Sequence, residues 1–454
     1  MGPILFSSKR SLFGVTIFIF LGITFVSGSH FRGGVITWRP ASNIPPVSGT
    51  FPTVLFNYRV AFRTSFSSDH SCNQQTINSG AVNPGEGSLE CDNGCTTLND
   101  DFDYRCTDFS TEGDWTTGLG DSAFTPTSNV FEVFYEGRNW IRLANGGNGP
   151  WIIRSRVDLT PRADNGLINS SPTTSNMPIV RIQQNCPTTL IIPVADADGD
   201  VVRCRYAVSS GDECGTICGQ LDATLDEVTC TLEWTPTETG LFGVAIQIED
   251  FVDASSTTPL SGIPLQFLFE VFEGNGTCGE APVFLPVVLP GQSCIAVRPG
   301  GTFTTRIEAE VSDPSRSITS INTVSPIGLT TTAVQPVTGS DVRYFVDVIF
   351  TSPSTLQQQE IFCFVAVDSG GLTSEQRCIF LVTSTLPPVP LSATVDGSNL
   401  LTITVDTAIT RPETSRFIRI VSASNQQTLF TFDTSSATDV RFPVIDTTVQ
   451  IQLP

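Results

Sequence analysis

The chain has 454 residues, of which 40% are hydrophobic and 15% charged, and its 45 acidic and 24 basic side chains give a net charge of −21. The length is enough for three or four domains, while the composition excludes a coiled coil and a disordered polyelectrolyte. The negative charge repels phosphate backbones, so we predict no nucleic-acid partner. Lys9 is the only lysine and there are two histidines, which leaves little for Schiff-base chemistry or a serine–histidine–aspartate triad.

Residues 1–28 have the pattern of a secretory signal peptide. Lys9 and Arg10 precede an apolar run from Leu12 to Val26, and the small residues 27–29 offer a cleavage site. The run is shorter than the roughly 20 residues of a stable membrane span, and no later apolar stretch is long enough. We therefore predict a secreted, extracellular chain without a membrane span, with a retained signal anchor as the alternative.

Thirteen cysteines fit an oxidising compartment, where they pair as disulfides rather than bind zinc as thiolates. The odd number leaves one thiol without a partner in this chain or paired with another chain, and the spacing does not give the connectivity. Cys363 and Cys378 lie on two strands of a predicted hairpin and could bridge it. The disulfide candidates are Cys72, Cys91, Cys95, Cys106, Cys186, Cys204, Cys214, Cys218, Cys230, Cys278, Cys294, Cys363 and Cys378.

Short strands separated by turn signals divide the mature chain into modules. In module one, residues 29–175, a loop-rich insert runs from Cys72 to Cys106, and the polar residues 158–176 form a predicted exit linker. The strands predicted for this module are at Gly33–Trp38, within Phe51–Phe66, at Val130–Tyr135 and at Trp151–Val157.

The same recurrence of short strands continues through module two (177–274), module three (279–386) and module four (391–454). Prolines 387, 388 and 390 mark a stiff linker before module four, which is short for a sandwich. No helical period of ten or more residues follows residue 28. We therefore predict an all-β fold of tandem antiparallel β-sandwiches, stapled by disulfides.

A sequence pattern of module two has an echo in module three, which lacks the triple-aspartate turn. In module two, Val194-Ala195-Asp196-Ala197-Asp198-Gly199-Asp200 precedes a strand, and a later strand ends in Glu249-Asp250; module three has the echo 365–374. This order resembles the Ig-like and cadherin-like modules of secreted metazoan extracellular proteins. The opening residues 29–34 also resemble secreted multi-module proteins of marine invertebrates, so an invertebrate skeletal matrix protein is one expectation.

An acidic turn in module two is the candidate metal site. Asp196, Asp198 and Asp200 alternate through a glycine-containing turn, and Asp250 closes a later strand. Calcium accepts six to eight oxygen ligands in irregular geometry, so a turn and one distant acid can hold it. The family resemblance also implies calcium at such turns. The alternative is a solvated turn whose aspartates cap backbone N–H groups.

Two asparagines and one histidine are further candidate sites. Asn169 and Asn275 begin N-x-Ser/Thr triplets and are glycosylation candidates. His30 would be third in the mature chain if cleavage followed Ser27, an arrangement that can bind Cu(II). His70 is interpreted as a histidine of a surface loop. No motif assembles a catalytic site, so we name no catalytic residue and predict that the chain is not an enzyme.

The leading hypothesis is a non-catalytic structural or interaction protein of the extracellular matrix. Its partners would be other matrix proteins or a mineral surface, with calcium as the candidate ligand and a biomineral matrix as one version. One alternative is a cell-adhesion or receptor ectodomain shortened at its C-terminus. Another is a secreted carbohydrate-binding or hydrolytic protein, which exposed aromatics among Trp38, Trp115, Trp140, Trp151 and Trp234 would favour.

Overall fold

The computed structural model describes residues 30–47, 49–92, 94–95, 100–219, 221–274, 277–353, 358–383, 390–397, 399–409, 417–421, 428–433, 440–441 and 446–453. Nearly all the secondary structure in these residues is β-strand, so the predicted all-β class is confirmed. Within them, no helix is both long and apolar enough to cross a bilayer. The predicted signal peptide lies outside the described residues, as does Asn275.

Module one is a layered β-structure around a core rich in aromatic side chains. Among the described residues of module one, α-helix α1 (Gln74–Ser79) lies in the loop-rich insert and a 3₁₀ turn at Ser68–His70 lies just before it. The strands are β1 (Phe31–Pro40), β2 (Val54–Phe62), β3 (Val82–Asn83), β4 (Ser88–Asp92), β5 (Asp100–Asp101), β6 (Tyr104–Ser110), β7 (Trp115–Phe124), β8 (Val130–Gly137), β9 (Trp151–Asp158) and β10 (Thr173–Thr174).

Module two packs a three-stranded sheet against part of a larger one. The order β12-β16-β15 forms the small sheet, while β14, β17, β18 and β11 pair in the large sheet. The strands are β11 (Ile179–Gln183), β12 (Thr188–Ile191), β13 (Val194–Ala195), β14 (Val201–Tyr206), β15 (Thr224–Asp226), β16 (Thr231–Trp234), β17 (Gly240–Phe251) and β18 (Ser261–Phe272), with 3₁₀ turns at Ser209–Gly211 and Gly215–Ile217.

Strand β18 joins the first two modules into one sheet. It pairs along its length with β17, in parallel with β11, and over short stretches with β1 and β9 of module one. Gly33 permits the approach of β1, since its φ is +130° and a Cβ there would lie 2.1 Å from the Gln266 carbonyl oxygen. One hydrophobic core correspondingly extends from Phe31 to Val271. The boundary that the sequence places between modules one and two at residues 175–177 stays a prediction. In the structure the two modules share a sheet and a core.

Module three is a β-sandwich with a core of its own. One sheet has the order β19-β21-β25-β23, with β24 beside β25, and the other has the order β20-β27-β26-β22. As in module two, an early strand pairs in parallel with the last one, here β20 with β27. The strands are β19 (Val283–Phe284), β20 (Cys294–Val297), β21 (Thr302–Glu310), β22 (Ile318–Val324), β23 (Leu329–Thr331), β24 (Gln335–Pro336), β25 (Arg343–Thr351), β26 (Gln358–Asp368) and β27 (Arg377–Thr383).

A buried polar contact docks module three on module one. Asp108 at the end of β6 accepts hydrogen bonds from Thr323 Oγ1 at 2.5 Å and from the Ser325 amide and hydroxyl, both at 2.7 Å. Arg59 donates to the Ser325 carbonyl at 2.7 Å. Asp108 and Arg59 are 5% and 8% exposed, so this contact is desolvated and fixes the orientation of the two modules.

Module four contains two small antiparallel sheets in the residues described. The first has the order β28-β29-β33-β32 and the second pairs β30 with β31. The strands are β28 (Pro390–Val395), β29 (Leu400–Ile409), β30 (Phe417–Val421), β31 (Thr428–Asp433), β32 (Val440–Arg441) and β33 (Asp446–Gln452).

Six disulfides use twelve of the thirteen cysteines, and the remaining one, Cys294, is exposed. Cys186 and Cys278 join the start and end of module two, and Cys363 and Cys378 join β26 to β27. The other four pairs are Cys72–Cys106, Cys91–Cys95, Cys204–Cys230 and Cys214–Cys218.

Candidate functional site

Three of the four predicted calcium ligands converge at one end of module two. Asp196 follows β13 and Asp200 precedes β14 in one turn, and Asp250 lies near the end of β17, so one turn and one strand end meet. A carboxylate oxygen of each residue lies within 4.8 Å of those of the other two. Asp200 and Asp250 are buried, and Asp196 is partly buried. We call Asp196, Asp200 and Asp250 the acidic cluster.

Each carboxylate of the acidic cluster has different partners. Asp250 accepts from the Ser261 amide at 2.6 Å and hydroxyl at 2.8 Å, and from Asn169 Nδ2 at 2.6 Å. Asp200 is held by both terminal nitrogens of Arg162. Asp196 Oδ1 accepts from the amides of residues 198 and 200, which shapes the turn, while Asp196 Oδ2 is buried without a hydrogen-bond partner.

The acidic cluster carries more negative than positive charge. Arg162 is the one cation bonded to it in the described part of the chain, against three carboxylates. Burial, reinforced by repulsion from Asp250, raises the pKa of Asp196 well above its usual range. Burial likewise raises the pKa of Asp250 to about 6, although its hydrogen bonds oppose the shift. A cation or a proton would therefore be bound favourably here.

Asp198, the fourth predicted ligand, lies outside the acidic cluster. It is exposed, and its Oδ2 accepts a hydrogen bond from the Ser170 amide at 2.6 Å. Alternate residues of a tight turn do not all face the same way, so the spacing of the three aspartates overstated their convergence. The oxygen donors that could hold a hard cation are those of Asp196, Asp200 and Asp250, with Asn169 beside them.

The surroundings of Asn169 argue against its glycosylation. Its side chain is 2% exposed, and Nδ2, the atom that would carry the glycan, donates to Asp250. The predicted exit linker 158–176 is accordingly not an exposed connection, because Arg162 and Ser171 in it are buried as well. Sequence reasoning missed Arg162, since an arginine in a polar stretch normally predicts a solvated side chain.

The equivalent end of module three has an arginine at its centre. Arg316 contacts Asp368 at 3.2 Å, Glu280 at 3.3 Å and Asp313 at 3.8 Å. Asp368 also accepts from the amides of residues 370 and 372, so its oxygens are occupied. The guanidinium supplies the positive charge that a metal ion would bring, which leaves module two as the better candidate.

Four of the five tryptophans are core residues. Trp38, Trp115, Trp140 and Trp151 are at most 3% exposed. Trp234 is half-buried and packs against two phenylalanine rings. The exposed aromatic pairs that would favour carbohydrate binding are therefore absent among the chain's tryptophans, all of which lie in the described residues.

The two histidines meet in module one, which the sequence did not indicate. His70 is 1% exposed and so is not the surface-loop histidine that we expected. His30 Nε2 lies 2.6 Å from Glu86 Oε2, and His70 Nε2 lies 3.3 Å from Glu86 Oε1. These contacts, that of His30 first, lower the pKa of Glu86 to about 2.

Module one is similar in sequence to a known protein family. Residues 32–160 match the family model described as "Integrin beta-like protein A-E, N-terminal". Integrin beta-like protein C of Dictyostelium discoideum is 23% identical over 408 residues, covering 80% of this chain and 19% of that protein. Integrin beta-like protein B of the same organism is 24% identical over 270 residues, covering 58% of this chain and 12% of that protein.

The chain spans about a fifth or less of the length of these relatives. Because they come from Dictyostelium discoideum, the expected metazoan and invertebrate origin is not supported. Among solved structures, a sialic acid binding region of a Streptococcus sanguinis adhesin aligns at 11% identity and a TM-score of 0.19, covering 52% of this chain and 92% of that one. Tandem Ig domains A164-A165 of titin align at 8% identity and a TM-score of 0.16, covering 47% and 97%. Similarities this weak carry no argument about function.

Proposed function

We propose that this chain is a non-catalytic adhesion or interaction segment of an extracellular protein. The observation that carries the proposal is the similarity of residues 32–160 to the N-terminal region of integrin beta-like proteins, continued at 23% identity over 80% of the chain. Among the three hypotheses drawn from the sequence, this favours adhesion over a mineral-associated matrix and over carbohydrate hydrolysis. The partners would be other molecules outside the cell.

The architecture suits a segment that bears load between partners. Modules one and two share strand β18, and module three is docked through Asp108, so a force on one module is passed to the next without a loose joint. Six disulfides are compatible with an oxidising extracellular setting. Secretion is the localisation that agrees with these features.

As a finer part of the proposal, calcium binds the acidic cluster and stabilises module two. An excess of buried negative charge and an unpartnered Asp196 oxygen favour a divalent cation over a solvated turn. Arg162 already neutralises Asp200, so we expect Asp196 and Asp250 to supply most of the binding. The dissociation constant for calcium would then be about 10⁻⁴–10⁻³ M, as in the weaker extracellular calcium sites.

Thermal unfolding of Asp196→Asn tests the calcium site. In chelator the variant should unfold at a higher temperature than the original chain, because an amide removes repulsion and can donate to Asp250. In calcium at 100 times the dissociation constant, the original chain should gain about 2.7 kcal/mol and the variant much less. Asp253→Asn, a change of equal charge at an exposed residue, should behave as the original chain in both conditions. Equal calcium gains in all three proteins would exclude the site.

Attachment of Dictyostelium discoideum cells to coated surfaces tests the adhesion proposal. Surfaces coated with the folded chain should retain more cells than surfaces coated with albumin. The reduced and alkylated chain is the matched control, because it has the same composition without the fold. Equal retention on the folded chain, the unfolded chain and albumin would count against adhesion.

A further inference from the structure

Both histidines of the chain lie in one cluster with Glu86, here called the histidine pair. His30 immediately precedes β1, His70 ends the 3₁₀ turn at Ser68–His70, and Glu86 lies between β3 and β4. The rings of the two histidines are 5.6 Å apart and nearly parallel, at 12°. One ligand atom from each of the three residues lies within 4.8 Å of the others. Three segments separated in sequence thus bring two imidazoles and one carboxylate together.

The surrounding side chains fix both imidazole rings. His30 stacks on Phe66 at 4.2 Å between ring centroids, and His70 stacks on Phe62 at 4.4 Å. His70 Nδ1 lies 3.2 Å from the Tyr104 hydroxyl. When Nδ1–H donates to the Tyr104 hydroxyl oxygen, Nε2 carries the lone pair, and Nε2 is the atom that faces Glu86. Rings held in this way need little rearrangement to bind a ligand.

The polar contact of the buried His30 imidazole is with Glu86. His30 is 5% exposed, and its Nε2 lies 2.6 Å from Glu86 Oε2, although not in the direction of a good hydrogen bond. A metal ion placed between Nε2 and the carboxylate would bind both. Two protonated rings in parallel would repel each other beside a single carboxylate. An ion that binds neutral imidazoles through Nε2 removes this repulsion.

We propose that His30 Nε2, His70 Nε2 and the Glu86 carboxylate form a zinc site. Zn²⁺ takes imidazole nitrogen and carboxylate oxygen at about 2.0–2.2 Å in a tetrahedron, which separates ligands by about 3.3 Å. The His70–Glu86 distance already has this value, and Glu86, with 44% of its side chain exposed, can adjust its distance from His30. Imidazole is a poor ligand for Ca²⁺, so this site differs in kind from the acidic cluster.

Only three protein ligands reach the zinc position from the described part of the chain, so one position of the tetrahedron stays open. Glu86 is the exposed member of the three, while both histidines are buried. Zinc sites with three protein ligands accept water or an outside group in the fourth position. We therefore expect a water molecule or another small ligand to complete the tetrahedron.

Titration of the secreted, chelator-stripped chain with Zn²⁺ and with Co²⁺ tests the proposal, in millimolar Ca²⁺ to occupy the acidic cluster. We expect one Zn²⁺ per chain by calorimetry and the intense visible absorption of tetrahedral Co²⁺. Glu86→Gln changes an exposed ligand and should weaken binding by more than about tenfold, because loss even of a residue behind the ligands costs about 10–100-fold. Asp69→Asn alters an exposed acid next to His70 and should leave the affinity unchanged.

Three outcomes would overturn the zinc site. The first is no heat of binding at micromolar Zn²⁺, which would leave the histidine pair as an ion pair with Glu86. The second is the pale spectrum of six-coordinate Co²⁺. The third is equal affinity in Glu86→Gln, Asp69→Asn and the original chain. Tyr104→Phe serves as a second test, since the fold can keep its ring while the hydrogen bond to His70 is lost, and we expect about tenfold weaker binding.

Discussion

Replacing Asp108 by asparagine should loosen the contact between module three and module one. The substitution removes the charge that accepts three hydrogen bonds from Thr323 and Ser325, and an amide can replace them only with weaker, uncharged hydrogen bonds. It also leaves Arg59 buried with less compensation, because burial lowers the pKa of Arg59 while Asp108 opposes that shift. Removing one partner of a buried charged network costs about 3–5 kcal/mol.

This free-energy cost should weaken the contact between modules one and three rather than unfold module three, since module three has a hydrophobic core of its own. A loss of 3–5 kcal/mol shifts the docking equilibrium about 100- to 4,000-fold. We expect faster hydrogen exchange at the Ser325 amide, which donates to Asp108, and unchanged exchange at the Met177 amide, which donates to Gln376 of module three. Asp341→Asn, an equal charge change at an exposed residue of module three, should alter neither. The reasoning is refuted if Asp108→Asn matches this control at the Ser325 amide.

Two further predictions concern the acidic cluster and the shared sheet. Burial raises the pKa of Asp250 from 3.8 to about 6. In chelator, the protonated Asp250 therefore contributes its full stabilisation to the free energy of unfolding below about pH 4, and about 3 kcal/mol of it is lost as the pH rises through 6. Thermal unfolding of the original chain and Asp250→Asn from pH 4 to 7 should therefore diverge with pH, and a constant difference would contradict the shift. Gly33→Ala should cost about 3 kcal/mol or more in urea unfolding, because a Cβ there meets the backbone of β18. Gly397→Ala, whose Cβ would meet nothing within 4 Å, should be near neutral, and equal costs would refute the steric argument.

Alternating apolar residues predicted the strands that form the centre of the fold. The prediction of strands missed β7, because Gly118 and Gly120 interrupt the alternation of apolar and polar side chains in this strand. The space of their missing side chains is taken by Tyr58 and by the backbone of β6, so these glycines are packed strand positions rather than turn signals. A period-two pattern cannot be read from residues without side chains.

Only those parts of the candidate sites that are close together in the sequence could be predicted from it. Alternate aspartates in one turn indicated two members of the acidic cluster, Asp196 and Asp200, although Asp198 between them faces away. Arg162 and Asn169, which complete it, come from a segment whose polarity predicted a linker. His30 and His70 are 40 residues apart and meet through β-sheet pairing alone, which no local pattern in the sequence encodes.

The Cys186–Cys278 disulfide has a mechanical consequence for a chain that bears load. Tension applied to the ends of the chain enters module two at Cys186 and leaves at Cys278, so it passes through the sulfur–sulfur bond. The residues between the two cysteines, about 300 Å of chain if fully extended, cannot lengthen while the disulfide is intact. Asp196, Asp200 and Asp250 all lie within this protected loop. Under pulling, Asp196, Asp200 and Asp250 would stay in one loop until the disulfide is reduced, while Arg162 and Asn169, which lie before Cys186, would be drawn away from them first.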